Sequence, residues 1–444
     1  MVQAAHQFRF LLMWAKVKWG TRLIRGGSAR VKREESTVPV AASSRVAQAF
    51  SSLSVINFRF LLGGTAACSF AMWMETIGQG WLVAQLTNSP FQLGLVQFIR
   101  GISIIFVSPF AGSFSDRVNR RFLASAGAAV NGLGALAIAI LIVTNRIEIW
   151  HLYITAFTGG FSSSVYNPVR QFLVFDVVER DQLPNAIALN SMVNNMARVV
   201  GPGIAGFMIG ISVSSAFFSE SLFFLCAIAS LMAIRLDQQV SMAGEPVLTA
   251  VRRGAAYLLR HRTLLRLTLL QAILTMLVFP YLQLMPLMAT NYLHVGSQGY
   301  GWLMTGVGIG AFFSGLAVAR FADVRRKGLI ESVALVLYVS MILAFTFSRI
   351  YILSFFLLVI GGIGFLAFTA FNQTLVQLHV EDEYRGRVLS FYTMASGLNP
   401  FGALAMGFVA DRYLGTPHTI AVFTVAALIL ALFSGLASKD LRSL

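Results

Sequence analysis

Three ionisable residues lie deep inside long apolar runs: Glu75, Arg100 and Arg198. An ionised side chain in hydrocarbon is costly, so it turns toward a helix-bundle interior or a water-filled cavity and pairs there. Glu75 and Arg100 sit at similar depths in consecutive runs, which lets them meet. Such a pair has two readings. It is a structural strut, or it is a coupling site whose carboxyl changes its proton affinity when the pair rearranges. Glu75 is the candidate coupling carboxylate. Glu220, Glu331 and Arg266 lie near the ends of their runs and are expected to reach water.

Polar residues recur at helical spacing in other runs. One stripe is Asn190, Asn194, Arg198 and Gly201; a second is Thr155, Ser162, Tyr166 and Arg170; a third is Thr369, Asn372, Gln373 and Gln377. Gln271 shares a face with Thr275, and Glu75 with Gln79. A stripe of this kind lines a cavity or holds helices together. Met72, Trp73, Phe279 and Tyr281 suit an amphipathic or aromatic cargo, or they pack and face lipid.

Enzyme chemistry has little support. The 6 His are scattered, no Cys/His spacing suggests a metal, and no Gly-Lys-Ser/Thr loop is available for phosphate. No cofactor is expected. Cys68 and Cys226 both lie in apolar runs, which is not a disulfide framework.

These residues need elements that hold them at depth. Hydrophobic residues make up 57% of the 444 and charged residues 12%, with mean hydropathy +0.72; soluble domains run near 45–50% and about 25%. The composition is that of an all-α polytopic membrane protein. An apolar run of about 20 residues crosses a bilayer as a helix. Twelve runs are expected, at 58–86, 91–114, 122–144, 149–172, 185–210, 215–235, 264–290, 298–320, 329–347, 350–375, 387–410 and 418–437. A β-barrel would instead alternate over about ten residues.

The net charge is +16, but Lys and Arg gather in the tail and in short loops without aromatic interleaving, so nucleic acid is not an expected partner. With twelve spans, almost every loop cation falls on the side of the termini, and only Arg146, Arg349 and Arg412 on the other. Both termini are therefore expected in the cytoplasm, with the protein in the plasma (inner) membrane. Residues 1–57 are expected to form a basic tail, and a secretory signal is not expected there. It is dispensable, lies on an anionic membrane surface, or resembles a transit peptide in composition.

The basic, polar loop at 236–263 separates spans 58–235 from spans 264–437, leaving 438–444 as a short cytoplasmic tail. The halves echo each other. Leu173-Val174 through Glu179 aligns with Leu375-Val376 through Glu381, Gly201-Pro202 with Asn399-Pro400, and Gly112 with Gly315 at nearly the same offset. An internal repeat of this kind suggests a transporter with its site between the halves.

The loop after the second span reads Gly112-Ser-Phe-Ser-Asp116-Arg117-Val-Asn119-Arg120-Arg121. It resembles the signature of the major facilitator superfamily, Gly-x-x-x-Asp-Arg-x-Gly-Arg-Arg. Asn119 replaces the second glycine, and Asn tolerates the left-handed turn expected there. Gly201-Pro202-Gly203-Ile204-Ala205-Gly206 resembles part of the family's antiporter motif, a helix-packing element. Asn167-Pro168-Val169-Arg170 and Arg385-Gly386-Arg387-Val388 resemble the bacterial exporter branch that includes enterobactin exporters.

The resemblance implies two pseudo-symmetric six-helix halves, with spans 1, 4, 7 and 10 lining a central cavity. It implies a cytoplasmic gate of Gly112, Asp116, Arg117, Arg120, Arg121, Asp323 and Arg387. There Asp116 would face the start of span 11, where Arg385 and Arg387 lie, and Arg117 would meet Asp176 or Glu179. Arg320, Asp323, Arg325 and Arg326 would form a degenerate second copy facing span 5. Alternatively, these residues only anchor the interface. The cavity candidates are Glu75, Arg100, Arg198, Asn194, Tyr166, Gln271 and Asn372. The expected function is proton-linked export of a drug-like or siderophore-like small molecule, with lipids and protons as further partners and a monomer as the working unit. Import, or a non-transporting sensor on the same fold, is the alternative.

Overall fold

The computed structural model describes residues 51–117, 119–235, 256–320, 324, 326–381 and 384–432, with side chains of 108–117 left out. Its described elements are helical throughout. We label them α1 (Ile56–Thr87), α2 (Pro90–Arg117), α3 (Arg120–Val143), α4 (Ile149–Val177), α5 (Leu183–Ile211), α6 (Val213–Met232), α7 (Arg262–Tyr292), α8 (Ser297–Arg320), α9 (Lys327–Phe347), α10 (Tyr351–His379), α11 (Arg385–Ser396 with Asn399–Val409) and α12 (Thr416–Ala431).

Among the described residues, eight helices are long and apolar enough to cross a membrane; α12 is apolar but shorter. Against twelve expected runs, α4, α5 and α11 also fall short of that standard. The reason is compositional. Ser, Thr, Asn and Arg stripe α4 and α5, and α11 is interrupted at Gly397-Leu398.

Local signals set the ends. Asn88 closes α1 in the left-handed region (φ 47), its N–H returning to the Ala84 carbonyl. Asn119, expected to be left-handed, is not: its φ is −57 and its side chain caps α3 by accepting the Arg121 N–H. The residue that replaces the motif glycine thus works as an N-cap. Helix α7 is loosened by π-helical turns at Leu274–Val278 and Met288–Tyr292. Pro400 begins the second piece of α11.

The pairings repeat. Among α1–α6, α2 packs on α4, α3 on α4 and α6, and α1 on α5 and α6. Six labels on, α8 packs on α10, α9 on α10 and α12, and α7 on α11 and α12. The two sets meet where α5 packs on α8 and α2 on α11. Side-chain hydrogen bonds also join them at one end: Asn291 Nδ2 donates to Asn88 Oδ1 (2.9 Å) and Ser89 Oγ to Asp411 Oδ1 (2.6 Å). Gly206 and Gly301 let α5 and α8 touch backbone to backbone; a Cβ on Gly206 would lie 2.8 Å from the Gly301 Cα.

Candidate functional site

A cavity of about 290 Å³ lies between the two helix sets. From α1 it takes Ser69, Met72, Trp73, Thr76 and Gly80, one face of a helix by spacing. Helix α2 adds Gln97 and Arg100, one turn apart. Helix α4 adds Tyr166, Asn167 and Arg170, and α5 adds Asn194. The opposite wall is Phe279, Leu282 and Gln283 of α7, Tyr300 and Met304 of α8, and Asn399 of α11. The irregular backbone of α7 and α11 falls beside this cavity, where broken helices are tolerated.

Arg100 meets Glu75 through both nitrogens, Nη1 at 2.9 Å from Oε1 and Nη2 donating to Oε2 at 3.1 Å. The pair is largely enclosed, with side chains 11% and 9% exposed. Two glycines of α4 make room for it. A Cβ on Gly159 would lie 2.9 Å from Glu75 Oε1, and one on Gly160 only 2.2 Å from the Arg100 carbonyl. Lower in the cavity, Asn194 Oδ1 accepts from Ser69 Oγ and from Arg170 Nη1, each at 2.8 Å. Between the two helix sets, Trp81 of α1 stacks on Tyr300 of α8 with ring centres 5.9 Å apart.

The other sequence candidates lie elsewhere. Arg198 is exposed outside the cavity, its guanidinium 6.0 Å from the Trp73 ring centre. Gln271 is buried between α7 and α11, donating to Thr275 Oγ1 and Ser396 Oγ and accepting from the Tyr392 hydroxyl. Asn372 is buried in the second set, donating to the Leu267 carbonyl and to Glu331 Oε1 at 2.7 Å. Spans 1, 4, 7 and 10 were expected to line the cavity. Helices α1, α4 and α7 do, joined by α2, α5, α8 and α11, whereas no residue of α10 is in the wall. The α10 residue Asn372 is engaged inside its own helix set.

Two acids depart from expectation. Glu220 and Glu331 do not reach water; they are 2% and 1% exposed. Position near a run end gives depth along the helix, but not the direction in which the side chain turns. Glu220 instead shares a pocket of about 10 Å³ with Glu75, Gln79, Asn131 and Thr155. Arg266 keeps partial exposure.

At the opposite end, Arg120 Nη1 donates to both oxygens of Asp176 (2.8 and 3.0 Å), with its guanidinium 4.8 Å from the Phe172 ring centre. Asp176, expected for Arg117, is thus engaged by a residue three positions further on. Arg121 Nη1 donates to the Ile234 carbonyl at 2.7 Å. Arg387 stacks on Tyr384 at 5.6 Å. Gly112 lies within α2; the side chains of Asp116 and Arg117, and all of Asp323, lie outside the described residues. Gly201 packs on α1, where a Cβ would meet that of Trp73 at 2.8 Å, and Pro202 is buried within α5. Among the described residues no group of His, Cys, Asp or Glu has a metal-holding arrangement.

The sequence reading missed Ser69, Thr76, Gln97, Gln283 and Asn399. Their signal was there: Gln97 lies one turn before Arg100, and Gln283 one turn after Phe279.

The family described as Transmembrane secretion effector matches residues 47–442. The chain belongs to that family, within the major facilitator superfamily. It is an integral membrane transporter and not an enzyme. The chain is 23% identical to the staphyloferrin A transporter of Staphylococcus aureus, over 83% of its own length and 93% of the relative's. It is 22% identical to the multidrug efflux pump Tap of Mycolicibacterium fortuitum, over 74% and 83%. In fold it resembles the nucleoside transporter NupG (D323A mutant; TM-score 0.70, 11% identity, 85% and 98% covered). It also resembles a bacterial homolog of the human lysosomal transporter Spinster, solved inward-facing and unoccupied (TM-score 0.66, 13% identity, 87% and 95% covered).

Proposed function

We propose that this protein is a twelve-span secondary transporter that exports a small molecule from a bacterial cytoplasm in exchange for protons. Glu75 is the coupling carboxylate. The observation that carries this reading is the enclosed Glu75–Arg100 pair, set where a cavity wall and a helix-set interior meet. An ion pair in such a place breaks when the helices around it shift, and the freed carboxyl then takes up or gives off a proton. The repeated helix pairings support two six-helix halves, 58–235 and 264–437, around that cavity. On this reading α4, α5, the broken α11 and α12 also span the membrane, their polar faces turned to neighbouring helices. Both termini lie in the cytoplasm of a plasma (inner) membrane, and the working unit is a monomer.

Alternating access follows from the interfaces. The two halves meet through α5–α8 and α2–α11, with the Asn88–Asn291 and Ser89–Asp411 bonds joining one end. Rocking about these contacts would expose the cavity to each side in turn. The Arg120–Asp176 pair belongs to the gate at the other end, with Asp116, Arg117, Asp323 and Arg387 as further members. The relatives' names, a siderophore transporter and a multidrug pump, support a siderophore-like or drug-like cargo.

The test is flux in liposomes, with a cargo found by thermal shift across siderophores and drugs. Glu75→Gln is expected to abolish accumulation driven by a pH gradient and to keep exchange of labelled for unlabelled cargo. Gradient-driven transport at the wild-type rate would make the pair structural. Accumulation along an inward gradient of protons would replace export with import.

A further inference from the structure

The cavity wall is electrically lopsided. Its described lining includes two guanidiniums, Arg100 and Arg170, and no carboxylate. Glu75 stands behind the wall, and both of its oxygens are engaged by Arg100. Arg170 has no such partner. Its Nη1 donates to Asn194, a neutral amide, and its buried Nε makes no hydrogen bond. One turn before it, Tyr166 is 4% exposed, and its hydroxyl has only the weakly accepting Cys68 thiol beside it. An unpaired guanidinium nitrogen and a weakly engaged hydroxyl thus converge beside one uncompensated positive charge. A partly buried cation with no counter-charge is costly and seeks a partner. A buried donor left unpaired is costly as well.

The opposite wall has another character. Phe279, Leu282, Tyr300 and Met304 present aromatic and apolar surface. Charge is therefore available on the α1–α6 side, and an apolar bed on the α7–α12 side. A second pocket of about 150 Å³ shares Arg100 and Gln283 with the first and extends it along α1 toward Val83. Together they fall in the lower part of the size range of drug-sized ligand sites.

We propose that the cargo is an amphipathic organic anion, whose carboxylate is held by Arg170 and Tyr166 and whose apolar body lies against Phe279, Tyr300 and Met304. This rests on the reading of the cavity as the transport site and adds the class of molecule it takes. A guanidinium is the side chain suited to a carboxylate, offering parallel N–H donors. A cationic cargo would find no free acid in the described wall. A neutral one would leave Arg170 uncompensated.

Equilibrium dialysis on the full chain purified in detergent tests the assignment. The probes are 1-naphthoate, the neutral 1-naphthamide and the cationic 1-naphthylmethylammonium, which share one apolar body. The expected result is binding of 1-naphthoate about tenfold or more tighter than 1-naphthamide, the equivalent of one good charged contact. Arg170→Gln should erase that preference by lowering 1-naphthoate binding to the level of 1-naphthamide; Arg170→Lys, which keeps the charge, should retain part of it. The wild-type comparison stands even if a variant fails to fold. Equal binding of acid and amide, or preference for the cation, overturns the anion assignment and leaves the transport cavity intact. Binding of phosphatidylglycerol without 1-naphthoate overturns it in favour of a lipid headgroup. If none of the probes binds, both the assignment and the reading of the cavity fall.

Discussion

The Glu75–Arg100 pair offers a perturbation whose size follows from its surroundings. Removing one partner of a buried ion pair costs about 3–5 kcal/mol, because the other charge stays buried alone. Here the side chains are 9% and 11% exposed and one flank faces a cavity. Glutamine at position 75 would also keep a neutral acceptor near Arg100. Both features point to the low end, about 3 kcal/mol for Glu75→Gln and a similar loss for Arg100→Gln. The doubly substituted protein carries two amides able to bond each other and no stranded charge. Its loss is expected not to exceed that of either single change, so the two effects should be non-additive by about 3 kcal/mol. Unfolding of the four proteins by SDS titration in mixed micelles, if reversible, measures the cycle directly. Single losses that simply add to within about 0.5 kcal/mol would refute the reasoning. They would mean that water already solvates each charge, with Glu220, which shares the small pocket behind Glu75, able to stand in for Glu75 beside Arg100.

Two further outcomes are expected. Gly160→Ala places a Cβ 2.2 Å from the Arg100 carbonyl, so α2 and α4 must separate at a cost of about 1–3 kcal/mol; Gly134→Ala, whose nearest contact is 3.5 Å, should be nearly neutral in the same thermal-unfolding assay. Topology can be read by cysteine labelling in a Cys68→Ser/Cys226→Ser background. An impermeant reagent added outside should reach Asn145→Cys and Gly296→Cys but not Glu179→Cys or Gly386→Cys, and labelling of all four would sink the proposed orientation.

The sequence by itself determined the class of this protein. Hydrocarbon admits only backbone that bonds internally, so apolar run length translates directly into helices, and the motif at Gly112–Arg121 pointed to the family. It also made the Glu75–Arg100 pairing foreseeable, because two charges at equal depth in adjacent helices have few other partners. Only the tertiary structure decided which way a side chain turns. Glu220 and Glu331 lie near run ends, yet both face inward. The α10 residue Asn372 is taken up by Glu331 and the Leu267 carbonyl, while Asn194 and Arg170, similarly placed in their own stripes, meet at the cavity. Period and hydropathy give depth and face along one helix. Which neighbour covers that face depends on how the helices pack, and that is set by contacts between residues far apart in the chain.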